Sequence, residues 1–200
     1  MTFMAVKKED GQRLYIGDFE TPKIALADVE LACQDCGSPM IIKAGDIVRA
    51  HFAHARGYEN EECWFRSNPE SEIHLNAKQM IANAIKKAWP NATIDIEHRI
   101  ETPAGRRYID VFVELPDGRK FAHEAQVSNQ SIERFRERTE AYLSDELIPV
   151  WWLGGAANSK ENQSWVRSNS YYLGFIGIES YERTLIDERY AYSDTDPYGA

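Results

Sequence analysis

Cysteine is scarce in this chain: Cys33, Cys36 and Cys63 are the only three in 200 residues. So sparse and odd a set excludes a disulfide framework, and the Cys33-x-x-Cys36 spacing reads instead as a pair of metal ligands. No run of about 18 apolar residues occurs, which argues against a membrane-spanning helix. The N-terminus lacks the charged-then-apolar pattern of a signal peptide, so a cytoplasmic protein is expected. Positive charge is in the minority, with 23 Lys and Arg against 32 Asp and Glu and a net charge of −9. That balance argues against a uniformly basic surface built for nucleic acid. The deficit is uneven, however. Residues 98–138 hold eight Lys/Arg and seven Asp/Glu, whereas residues 179–200 hold two Arg and six Asp/Glu. An acidic tail says little about a cleft elsewhere, and it offers a surface for protein partners.

What the chain does contain is organised around Asp110 to Gln126. Two alternating, strand-forming flanks enclose Pro116-Asp117-Gly118, the signature of a β-hairpin. Pro, Asp and Gly in that order suit a type I turn closed by a left-handed glycine. With those three residues as the loop, Leu115 faces Arg119, and Asp110 lands opposite Glu124. Directly opposed side chains lie about 5 Å apart on one face of a sheet, and Gln126 shares that face two residues on. Two adjacent carboxylates repel, and a divalent cation with oxygen ligands is the natural compensation.

Residues 33–63 read as a zinc module. Gly37 permits the tight turn after Cys33-x-x-Cys36, then come His51-Phe52-Ala53-His54 and Cys63. Tetrahedral Zn²⁺ takes four N/S ligands and five candidates are present. His51 and His54 point to opposite faces of an extended segment, so the expected set is Cys33, Cys36, His54 and Cys63, with His51 as the competitor. Such a site is structural, because protein fills every position.

Residues 69–88 read as a helix capped by Ser67 or Asn68, with Pro69 in its first turn. Ile73, Ala77, Met80, Ile81, Ala84, Ile85 and Ala88 form its apolar stripe. Glu70 projects onto that stripe, with His74 and Lys78 at its flank. Residues 93–100 read as a strand, and Pro103-Ala104-Gly105 as a second three-residue loop. That register puts His98 opposite Asp110, and Ile94 and Ile96 on the face of Asp110 and Glu124. Ile109, Val111, Val113, Phe121 and Ala125 fall on the other face. Both faces are apolar, so both should be covered. Ser131 to Leu143 is a helix carrying Arg134 and Arg138, candidate contacts to phosphate. Leu147 to Leu153 is a strand, residues 156–170 read as a polar loop, and residues 171–192 as strands or a short helix.

The order from Pro69 to Leu153, namely helix, three antiparallel strands, helix and strand, resembles the core of the PD-(D/E)xK nuclease superfamily. A closer resemblance is to the competence protein CoiA-like family. It rests on Cys33-x-x-Cys36, His51-Phe-Ala-His54, Glu70-Ser71-x-x-His74-x-x-x-Lys78, Asp110-Val111, Glu124-Ala-Gln126-x-Ser128, Arg138-x-x-x-Tyr142 and Val150-Trp-Trp-Leu153. The resemblance implies an α+β chain in three parts. These are a zinc-ribbon-like module over residues 1–66, a nuclease-like core over 67–155 with a mixed sheet and helices on both faces, and an extension over 156–200. It implies a metal-dependent DNA nuclease in which Asp110, Glu124 and Glu70 bind Mg²⁺ or Mn²⁺. Gln126 stands where most superfamily members carry lysine. Glutamine can orient a water or ligate through its carbonyl, but it cannot act as a base or carry charge. His74 or Lys78 would then supply the missing role. The alternative is a non-catalytic, zinc-containing adaptor that binds DNA or protein on a nuclease-like fold.

Overall fold

The computed structural model describes residues 1–45, 49–58, 60–103, 105–170 and 172–176. The acidic tail and most of the expected 171–192 elements lie outside the described residues. The chain divides into two compact units, Met1–Leu75 and Asn76–Ala200.

In the first unit β1 (Met4–Lys7) and β2 (Arg13–Tyr15) form a hairpin around Asp10-Gly11, with Met4 opposite Tyr15. A short helix α1 (Pro22–Ala25) leads to β3 (Leu31–Ala32), which adds to the other side of β1. β4 (Met40–Lys43) and β5 (His51–His54) make a separate antiparallel pair, with Met40 opposite His54. One helical turn, α2 (Trp64–Ser67), follows Cys63. Phe3, Ala5, Ile16, Leu31, Met40, Phe52 and Phe65 are buried and form its apolar interior.

Helix α3 (Glu72–Ala88) begins in the first unit and continues into the second. It starts three residues later than the sequence suggests. Ser71 is the cap, its Oγ accepting from the amide of His74 at 3.2 Å, a stronger start signal than Pro69. Ala77, Ile81 and Ile85 of the expected stripe are buried, but the stripe also takes in Leu75, Lys78 and Ala82, while Ile73 is 48% exposed. The stripe is displaced because it contains a lysine, which an apolar pattern cannot register.

The second unit is a five-stranded mixed sheet. β6 (Thr93–Thr102), β7 (Gly105–Glu114) and β8 (Lys120–Gln126) are antiparallel. α4 (Ile132–Ser144) then crosses to β9 (Ile148–Gly154), parallel to β8. Residues 160–169 are a helix, α5 (Lys160–Asn169), not the polar loop expected, and it returns the chain to β10 (Tyr172–Ile176), parallel to β9. Ser159 caps α5 by accepting from the amide of Asn162 at 3.1 Å. α5 buries only a narrow face around Val166 and Asn162, so its polarity concealed it. α4 and α5 cover one face of the sheet, packing Phe135 and Val166 against Trp151, Leu153 and Leu173. The opposite face is buried as well, through Phe121, His123, Val150 and Trp152.

The β7–β8 hairpin has the expected register. The amide of Gly118 donates to the Leu115 carbonyl at 2.9 Å, Gly118 has φ 88°, and Val111 pairs with His123. The β6–β7 hairpin differs by one residue. Thr102 pairs with Gly105, so only two residues form the loop and His98 pairs with Ile109. A one-residue slip moves every side chain to the other face. Ile94 and Ile96 therefore oppose Val113 and Val111, and Glu97 takes the ladder position facing Asp110. His98 bonds Asp95 at 2.7 Å and stacks on Phe112 instead of neighbouring the acidic pair.

Candidate metal centre and acidic site

The first unit gathers Cys33, Cys36, His54 and Cys63, whose ligand atoms all lie within 4.8 Å of one another. Cys33 and Cys36 come from the knuckle turn, His54 from the end of β5, and Cys63 from the residue before α2. The Sγ atoms of Cys33 and Cys63 are 3.7 Å apart, and His54 Nε2 is 3.4 Å from Cys36 Sγ and 3.5 Å from Cys63 Sγ. A tetrahedron with Zn–S near 2.3 Å and Zn–N near 2.05 Å has edges of about 3.75 Å (S to S) and about 3.55 Å (S to N). The donors thus stand at the separations that one tetrahedral ion requires. His51 is not among them; its Nδ1 donates to the Arg49 carbonyl at 2.8 Å. Asp35, inside the knuckle, accepts from the amide of Trp64 at 2.8 Å and so ties the Cys33–Cys36 turn to the segment carrying Cys63. Burial pushes the Cys33 thiol well above its ordinary range, a cost that a bound cation removes.

The first unit also holds Glu70 and His74. Glu70 lies two residues ahead of α3 and keeps only 15% of its side chain exposed; its Oε1 is 3.7 Å from His74 Nδ1.

In the second unit, Asp110, Glu124 and Gln126 meet on the face covered by α4. Asp110 Oδ2 accepts from the amide of Ala125 at 2.9 Å, which fixes its carboxylate at the edge of the β7–β8 ladder. Glu124 is fully buried beside it, within hydrogen-bonding range of Asp110. Two side chains of α4 reach Glu124: the Arg138 guanidinium on Oε2 and the Tyr142 hydroxyl on Oε1. Residues 138 and 142 are one helical turn apart, so one face of α4 delivers both. Burial pushes the Glu124 carboxyl up to about 7, with Arg138 opposing the rise and Asp110 adding to it. Burial raises Tyr142 too, so it stays a neutral donor.

Gln126 is held at both ends. Its Nε2 donates to the Ser128 carbonyl at 2.8 Å and to Ser128 Oγ at 3.2 Å, while its Oε1 accepts from Arg138 Nη1 at 3.3 Å. The guanidinium also lies 4.8 Å from the centroid of the Trp151 ring, whose Nε1 donates to Thr139 at 3.0 Å. Arg138 is therefore engaged inside the site, whereas Arg134 is exposed on α4.

Lys78 is fully buried and pairs with Glu97 at 2.8 Å. Glu97 has φ 53°, a left-handed conformation uncommon for a glutamate. Sequence reasoning missed Glu97 because the one-residue slip in the β6–β7 loop hid its place opposite Asp110. The Arg138–Tyr142 spacing was visible, but nothing in the sequence said that both side chains turn inward on Glu124.

A family model described as "Competence protein CoiA, nuclease-like domain" matches residues 70–188, and "Competence protein CoiA, N-terminal domain" matches residues 21–65. Competence protein CoiA of Bacillus subtilis (strain 168) is 26% identical over 153 residues, which is 76% of this chain and 39% of that protein. An uncharacterized protein of Halorubrum lacusprofundi is 28% identical over 140 residues, 62% of this chain and 36% of that one. The chain thus spans well under half the length of either relative. A crystal structure of a protein of unknown function aligns over 47% of this chain and 53% of its own, at 14% identity and a TM-score of 0.38. No helix among the described residues is long and apolar enough to cross a membrane.

Proposed function

The chain belongs to the competence protein CoiA family, and on that premise we propose that it is a divalent-metal-dependent nuclease hydrolysing DNA phosphodiester bonds in competence-type DNA processing. The observation that carries this reading is the buried pair Asp110 and Glu124, two hard oxygen donors side by side with Arg138 as their cation. Oxygen donors of this kind suit Mg²⁺ or Mn²⁺. Tyr142 and Arg138 occupy one position on each Glu124 oxygen, and a carboxylate has about four acceptor positions, so Glu124 retains capacity for an ion. When bound, the ion supplies Lewis-acid polarisation of the scissile phosphate and a water of lowered pKa.

The chain's own residues divide the remaining work. Asp110 and Glu124 hold the ion. Glu70 and His74, 3.7 Å apart, form an acid–imidazole pair able to hold and orient a water. Gln126 contributes a fixed amide dipole and no proton transfer. Lys78, paired with Glu97, stabilises β6 where it faces Asp110. Arg134, exposed on α4, contacts the DNA backbone. The Cys33, Cys36, His54 and Cys63 site holds Zn²⁺ in a structural role.

The test is incubation of the purified protein with single-stranded, duplex and branched DNA in Mg²⁺ or Mn²⁺. Cleavage that disappears in Asp110→Ala and Glu124→Ala supports the reading. No cleavage of any substrate, or cleavage that survives both substitutions, refutes it. A second reading is a zinc-containing adaptor that binds DNA or a protein partner without turnover. It is favoured by one observation: both Glu124 oxygens and the Gln126 amide already have internal partners. It predicts DNA binding without cleavage and a melting temperature indifferent to millimolar Mn²⁺.

A further inference from the structure

We infer that Arg138 is the fixed cation of the acidic centre, a positioning residue for Glu124, and that residue 126 is a neutral amide because it has to accept a hydrogen bond from that guanidinium. Three contacts fix the arrangement. Arg138 Nη2 takes Glu124 Oε2, Nη1 takes Gln126 Oε1 at 3.3 Å, and the guanidinium lies over the Trp151 ring. The Gln126 amide cannot be turned round. Its Nε2 faces the Ser128 carbonyl, which only accepts, so its Oε1 must face Arg138. A positive side chain at residue 126 would set two cations against each other at that distance, in a site where Glu124 is fully buried and the Arg138 side chain is 18% exposed.

Strand β8 supplies the acid and the amide, and α4 supplies the cation. Glu124-x-Gln126 and Arg138-x-x-x-Tyr142 are therefore one unit divided between two elements. Arg138 acts through Glu124 and Gln126, the two side chains it holds. It sets the direction of the Glu124 carboxylate by holding Oε2. The planar fork is essential, since a lysine ammonium cannot serve both residues in one plane.

The experiment moves the charge. Gln126→Lys, Gln126→Met, Arg138→Gln and the double variant Gln126→Lys/Arg138→Gln are compared by thermal unfolding and by Mn²⁺-supported DNA cleavage. Gln126→Lys is expected to lower the melting temperature by about 10 °C, and Gln126→Met by clearly less. In the Arg138→Gln background the same lysine is expected to raise the melting temperature. Cleavage is expected to fall about a hundredfold in Arg138→Gln and to recover at least in part in the double variant. Equal effects of lysine at residue 126 with and without Arg138, or equal effects of lysine and methionine in the parent, overturn the inference. If Arg138→Gln does not fold, the lysine–methionine comparison in the parent decides alone. Only the cleavage arm depends on the nuclease reading. A protein that cuts no DNA but gives the expected unfolding pattern loses that reading and keeps the Arg138 arrangement.

Discussion

Acid should remove a stabilising contribution of His123, on the face of the sheet opposite Glu124. The imidazole is buried, its Nδ1 accepts from Trp152 Nε1 at 3.0 Å, and its Nε2 has no partner. Protonation would place a second N–H against the indole donor, in a side chain only 1% exposed. Burial accordingly drives the group from 6.5 down to about 3. The folded value lies below the unfolded one, so the unfolded chain binds the proton more readily. The stabilising contribution is complete above pH 6.5 and is lost progressively as pH falls towards 3. At about 1.36 kcal/mol per pK unit, moving from pH 7 to pH 5 costs about 2 kcal/mol, or about 4–8 °C in melting temperature for a chain of this size. Glu124 acts in the opposite sense. Its raised value makes its contribution largest below 4.5 and lost as pH rises to about 7, so the parent curve should be nearly flat between the two. His123→Asn retains an acceptor for Trp152 and removes the titration. Urea unfolding followed by tryptophan fluorescence at pH 7 and pH 5 isolates the term, because Glu124 is common to both proteins. The variant should start less stable at pH 7, from lost packing, and the gap should narrow by about 2 kcal/mol at pH 5. A gap unchanged to within about 0.5 kcal/mol would show that His123 charges without penalty and that the argument from burial is wrong.

Three further outcomes follow from the geometry. Elemental analysis should find one zinc per chain, lost in Cys63→Ser and retained in His51→Ala; retention in the first or loss in the second would redraw the ligand set. Lys78→Met or Glu97→Gln alone should cost about 3–5 kcal/mol, because each strands a buried charge or its polar partner, while Lys78→Met/Glu97→Leu should recover most of that loss. Additive losses in the double variant, measured by denaturant unfolding, would mean that the pair does not act as a pair. Gly174→Ala should cost about 1–3 kcal/mol or more, since the added Cβ would lie 2.3 Å from Trp152 Cε3; unchanged thermal stability would show that the indole can move aside.

The legible parts of this structure were those with local chemistry. Pro116-Asp117-Gly118 set its own turn, and with it the register that puts Asp110 beside Glu124. The cysteine knuckle announced itself through spacing, and the helix expected over Ser131 to Leu143 is α4, which the structure shows capped by Ser131. Three of the failures share a cause: the deciding interaction is distant in sequence. Thr102-Pro103-Ala104-Gly105 permits a two- or a three-residue loop, and pairing along the whole of β6 settles the choice. Lys78 and Glu97 look like surface charges until each supplies the other's partner across 19 residues. Arg138 was assigned to phosphate because an exposed helical arginine is the common case; Glu124, 14 residues earlier, claims it instead. α5 escaped notice because its buried face is too narrow to give a periodic signal.

The cysteine–histidine cluster bears on how the chain comes off the ribosome. All four of its donors lie between residues 33 and 63, whereas the acidic centre needs side chains as late as residue 142. Capturing the ion closes a loop of roughly 30 residues, and the entropy of that closure is met by coordination without help from any later strand. The amino-terminal unit can therefore reach its final form while β7, β8 and α4 are still unsynthesised. Starving a growing cell of zinc should therefore leave the amino-terminal unit unformed from the moment it is made, whatever the later strands do.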